Sequence, residues 1–144
     1  MPKYYHITTP DSWEEIQKNG LICDNEGNIF LLNTDFPAVI EYVAFNQILF
    51  HYGDYILLEV DSAGINKPLV RDNVTEAPAH LGHQWILKQE CISKRHLEFI
   101  YERTLTEKGV KFSRDQIFNK LGREVHPGDD EYVEHVENKR LNEN

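Results

Sequence analysis

The chain has 144 residues, enough for one domain with one core, and its 40% hydrophobic and 11% aromatic content argues for a packed globule rather than a disordered chain. Fifteen Lys and Arg against 24 Asp and Glu give a formal net charge of −9, which repels phosphate backbones and disfavours broad nucleic-acid binding. Two cysteines, Cys23 and Cys91, are too few for a disulfide framework, form no CxxC zinc pattern and have apolar neighbours, as buried thiols do. No apolar run approaches about 20 residues, so no membrane span is expected. The Met-Pro-Lys-Tyr-Tyr-His start lacks the apolar region of a signal peptide, so a cytoplasmic location is the expectation.

The opening segment Tyr4-Tyr5-His6-Ile7-Thr8 reads as a strand, with Tyr5 and Ile7 toward a core and His6 and Thr8 together on the other side. A helix follows, started by Pro10 and by Asp11 or Ser12, with Trp13, Ile16 and Gln17 on one face and Gly20 as its stop. Leu21-Ile22-Cys23 is a short apolar piece, and Asp24 to Asn28 is a turn by composition. Ile29-Phe30-Leu31-Leu32 has the unbroken apolarity of a buried strand. Asn33-Thr34-Asp35 can cap a helix from about Pro37 to Leu49, in which Val39, Tyr42, Val43, Asn46 and Ile48 or Leu49 recur at roughly helical spacing. His51 to Asp54 ends it. Tyr55 to Asp61 is the clearest strand and is expected in the sheet centre.

Leu69 to Asp72 reads as a short edge strand and Asn73 to Gly82 as a loop. Gln84 to Lys88 is a further strand. Residues from Lys94 to Ile100 read either as a turn and a strand or as one helical turn and a strand. Beyond Thr104 the expectation is a strand or loop, a helix from about Ser113 to Leu121 stopped by Gly122, and an acidic tail from Glu124. The compact domain, residues 1–103, is expected to end near Arg103, with 104–144 as an appended helix and a partly flexible tail.

A strand ending His-x-Thr, a helix ending Ile-x-x-x-Gly-Leu, an Ile-Phe-Leu-Leu strand and an aromatic-bearing helix together resemble the ADP-ribosyltransferase fold. The likeness is to its diphtheria-toxin-like branch, which also holds poly-ADP-ribose polymerases, DNA-modifying toxins and RNA 2′-phosphotransferases. It extends through Leu-Leu-Glu-Val-Asp and Gln-Trp-Ile-Leu-Lys-Gln-Glu-Cys-Ile and covers roughly Tyr4 to Ile100. The resemblance implies an α+β fold with a split β-sheet core and short flanking helices. It also implies NAD as substrate and transfer of ADP-ribose to a macromolecular acceptor such as a protein.

That family commonly works with His, Tyr and Glu. His6 matches the ribose-binding histidine and Thr8 its neighbour at the sugar or nicotinamide end. Tyr42, with Phe45 as the fallback, matches the aromatic that stacks on nicotinamide. Gln84 stands where the family has its catalytic carboxylate. Cleavage of the nicotinamide–ribose bond builds positive charge on the sugar, which a carboxylate compensates and a glutamine amide does not. Glu90, which lies past the strand, and Glu59 and Asp61, on a different strand, are the alternative carboxylates.

Each of these residues also has a plainer reading: His6 as a satisfied structural histidine, Tyr42 as a core aromatic, Gln84 as the first residue of a strand. His80 and His83 lack a clear third metal ligand and read as loop residues. Two rivals to a transferase remain: a catalytically inactive nucleotide- or protein-binding member of the fold, and an RNA 2′-phosphotransferase, which the acidic balance disfavours. An interaction protein that blocks a host enzyme is a reading from a different class.

Overall fold

The structure, a computed structural model, describes residues 3–72 and 82–118. It is a mixed α+β architecture, as expected, in which every strand pairing is antiparallel. The first strand, β1 (Lys3–Thr8), leads directly into α1 (Pro10–Asn19). Thr9 caps this helix, its Oγ1 accepting the Ser12 N–H at 3.2 Å, ahead of the Pro10 and Asp11 or Ser12 start expected from the sequence. Pro10 follows at a position where its missing N–H costs nothing.

Gly20 ends α1 and donates its N–H to Ile16 O at 2.8 Å, with φ +80° and ψ 179°. β2 (Leu21–Ile22) then pairs with β7 (Cys91–Ile92) as a separate two-stranded ribbon. Asp24 Oδ1 accepts the N–H groups of Glu26 and Asn28, which folds the turn into β3 (Ile29–Leu32).

α2 (Pro37–Val43) continues as a wider π-type turn over Ala44–Leu49, so the helical stretch ends where the sequence placed it. Phe50 closes it in the left-handed region at φ +61°. The remaining strands are β4 (Asp54–Asp61), β5 (Leu69–Arg71), β6 (Gln84–Leu87) and β8 (Leu97–Thr104). The main sheet runs β5-β6-β3-β1-β4-β8. β4 is interior, as its apolar run requires, and Tyr55, Ile56, Leu57 and Leu58 are buried on both of its faces. One 3-10 turn, Lys94–His96, precedes β8 and settles the open choice there in favour of a helical turn and a strand.

Two cores lie on opposite faces of the sheet. On one, Ile16 of α1 packs with Leu31, Leu58 and Leu87. On the other, Val39, Ile40 and Val43 of α2 pack with Tyr5, Leu32 and Leu57. The second core also takes in Leu105, Val110 and Ile117. The boundary expected near Arg103 therefore does not coincide with an edge of the core. α3 (Glu107–Phe118) packs on α2 and begins well before Ser113, because Thr106 caps it by accepting the Gly109 N–H at 3.0 Å. The expected stop at Gly122 and the acidic tail lie outside the described residues, as does most of the loop from Asn73.

β8 has a bulge. Leu57 pairs with Tyr101 while Leu58 pairs with Phe99, so Ile100 is the extra residue. Among the described residues, no helix is long and apolar enough to cross a membrane.

Candidate functional site

Strand register decides how the sequence-derived site residues stand to one another. Residues directly opposed in an antiparallel pair project from the same face. Tyr5 is opposite Leu32, and Leu32 is opposite Gln84. Gln84 therefore shares the face of Tyr5, which is the α2 side. Tyr42 and Phe45 belong to that side too, packed against the same core. His6 is opposite Leu58 and Thr8 opposite Ile56, and both partners belong to the α1 core. The structure thus keeps His6 with Thr8, groups Tyr42, Phe45 and Gln84 on the other face, and puts the sheet between the two sets. The single hollow lined by His6, Tyr42 and Gln84 that the resemblance implies is not formed.

Gln84 is committed to its own neighbourhood. It is 3% exposed, and its Nε2 donates to Asp72 Oδ2 at 2.9 Å while its backbone oxygen accepts the Asp72 N–H at 2.9 Å. The amide is spent on a buried carboxylate, which is a reason for an amide rather than a second carboxylate there. Tyr42 is half-buried, and burial raises its phenol above the ordinary value while the Arg114 charge works the other way. Phe45 stacks on Tyr52 with centroids 4.8 Å apart and 19° between the planes, so its ring is already covered.

The alternative carboxylates are elsewhere. Glu59 pairs with Lys3 Nζ at 3.0 Å. Asp61 Oδ1 accepts the Ala63 N–H at the start of a 3-10 turn, and Glu90 is an exposed turn residue. His83 is buried, with Nδ1 2.8 Å from Asn33 Oδ1, and His80 lies outside the described residues. No group of three or more His, Cys, Asp or Glu suited to a metal occurs among the described residues. Cys23 and Cys91 are free, half-buried thiols.

His6 and Thr8 do form part of a cavity. It has a volume of about 390 Å³ and lies between β1, β3, α1 and the turn after β2. His6 and Thr8 come from β1, Ile29 and Phe30 from β3, and Asp24 and Asn28 from the turn. α1 supplies Ser12, Glu15, Ile16 and Asn19. Those four recur at i, i+3, i+4 and i+7, a helical spacing that was present in the sequence and could have marked this face. Gly20 and Leu21 complete the wall at the end of the helix.

His6 is the chemically distinctive group in it. Its Nδ1 is 2.9 Å from the Phe30 carbonyl oxygen. A carbonyl only accepts, so Nδ1 carries the proton and Nε2 is the ring's acceptor. Burial lowers the pKa of the imidazole below its ordinary value, against the opposing pull of the Phe30 carbonyl, so the ring is neutral at pH 7. Asn28 Oδ1 accepts from Lys88 Nζ at 2.9 Å, and the acidic residues Glu15 and Asp24 are among those that line the cavity.

Comparison with protein-family models and with curated proteins finds no match for this chain.

Proposed function

We propose that this chain is a small-molecule-binding domain of ADP-ribosyltransferase-like ancestry that has no transferase activity, with its ligand seated under α1 against His6 and Thr8. The observation that carries the reading is the strand register, which separates His6 from Gln84 by the sheet while leaving His6 at a cavity. At about 390 Å³ the cavity is at the low end of the range of roughly 300–1,000 Å³ typical of ligand sites. That suits one heterocycle with a sugar-sized attachment better than a whole dinucleotide. Apolar walls from Ile16, Leu21 and Ile29, with a few fixed polar groups, match the general composition of such sites.

The likeness to the ADP-ribosyltransferase fold supports the kind of ligand, a nicotinamide or nucleoside fragment, rather than the reaction. Two measurements test the proposal on the purified chain. With NAD, neither the natural protein nor Gln84→Glu should release nicotinamide above the uncatalysed rate. With nicotinamide or adenosine, calorimetric binding should be present and should weaken in His6→Ala. Nicotinamide release in Gln84→Glu would overturn the proposal, because it would require the two faces of the sheet to share one active centre.

A further inference from the structure

The polar atoms around the cavity under α1 point to the charge class of its occupant. We infer that this cavity selects a phosphate-free ring ligand that is neutral or cationic and carries an N–H donor, and that it rejects anionic nucleotides. The inference rests on the cavity's being the binding site proposed above and adds what that site selects.

Three features carry it. With Nδ1 tied to the Phe30 carbonyl, the free position of the His6 ring is Nε2, an acceptor that needs a donor opposite it. The charged side chains at the wall are Glu15 and Asp24, both acidic, and no Lys or Arg lines the cavity among the described residues. Asp24 spends Oδ1 on the Glu26 and Asn28 N–H groups, which leaves its second carboxylate oxygen uncommitted among those bonds. Lys88 does not line the cavity, and its Nζ is held by Asn28 Oδ1. A phosphate entering here would meet two carboxylates and no aimed cation, whereas phosphate sites are built from Arg, Lys or clustered backbone N–H groups. A ligand N–H or a cationic amidine would meet an acceptor on the floor and negative charge at the wall.

Four probes, three single rings of one size and one larger nucleotide, separate the possibilities by NMR titration of the labelled full chain. Nicotinamide is a neutral donor, benzamidine a cationic donor, benzoate an anion, and adenosine monophosphate an anionic nucleotide. Nicotinamide and benzamidine should shift the signals of His6, Thr8 and Asn28, with benzoate and the nucleotide about tenfold weaker or worse. Glu15 is exposed on α1, so Glu15→Gln should fold normally, weaken benzamidine about two- to fivefold and weaken nicotinamide less.

Benzoate or the nucleotide binding at His6 as tightly as the donor probes overturns the ligand class but keeps the cavity as a site. An unchanged benzamidine affinity in Glu15→Gln overturns the role of the acidic wall. If none of the four probes shifts these signals, the binding-domain reading itself fails and the ligand class with it.

Discussion

The end of α1 offers a test, because two glycines share a positive φ and differ in surroundings. Gly20 has φ +80° and Gly27 has φ +82°. A Cβ added at Gly20 would lie 2.7 Å from the Ile92 carbonyl oxygen and 3.0 Å from Cys91 Sγ, whereas one added at Gly27 would have nothing within 4 Å. Gly27→Ala should therefore lose only the conformational term, about 1–2 kcal/mol. Gly20→Ala carries a conformational term of about 1–3 kcal/mol, since ψ near 180° at positive φ is tolerated by little except glycine. It must also push β7 away from β2, which adds about 1–3 kcal/mol of overpacking. Urea unfolding of both variants at neutral pH measures the difference, with unchanged slopes confirming that compactness is not altered. A Gly20→Ala loss exceeding that of Gly27→Ala by about 1–3 kcal/mol is expected. Equal losses would show that the approach of Ile92 and Cys91 to Gly20 does not constrain the end of α1.

His6 should make stability depend on pH below neutrality. Burial holds its folded pKa below the unfolded value of about 6.5, so its contribution is present above that pH. The contribution is lost as pH falls toward the folded value, by at most about 1.4 kcal/mol per pH unit. His6→Asn retains an N–H for the Phe30 oxygen but does not titrate, so identical slopes in the two proteins over that window would sink the assignment. Gln84→Glu sets a second carboxylate against Asp72 across a contact now 2.9 Å long. It should cost about 2–4 kcal/mol at neutral pH. The shared proton raises the folded-state pKa of the pair, so the cost shrinks as pH is lowered through that raised value, and a penalty that grew in acid would contradict the contact. Tyr52→Ala uncovers the Phe45 ring and should cost about 0.5–1.5 kcal/mol beyond buried area. Hydrogen exchange at the Phe50 N–H, which bonds Phe45 O at 2.9 Å, should accelerate more than exchange in β4.

Much of the fold was legible because its signals are local. The β1–α1–Gly20 opening, the apolar runs of β3 and β4 and the helical spacing after Pro37 all rest on neighbours within a few residues. The cap of α3 at Thr106 was equally local, but the polar character of the stretch after it left the expected helix start at Ser113. The candidate site failed for a different reason. Alternation told which side of β1 holds His6 relative to Tyr5, and it placed Gln84 at the start of β6. The relation between them runs through β3, by way of Tyr5–Leu32 and Leu32–Gln84, and a register between distant strands leaves no mark within either strand. One step of register would have put Gln84 on the side of His6. The face of α1 expected from the sequence, Trp13, Ile16 and Gln17, shares only Ile16 with the cavity wall, because polar residues at helical spacing do not by themselves distinguish a cavity wall from a solvated face.

Ile100 has a consequence for how copies of this chain meet. It shifts the alternation of the outermost strand midway, so Phe99 can reach Trp13 on the α1 side, with ring centroids 6.0 Å apart, while Tyr101 turns to Tyr55 on the other. A foreign strand laid along this border would keep step for its first few residues and then fall out of phase. The irregularity that lets one strand serve both layers thus also blunts the sheet margin as a template for fibre growth.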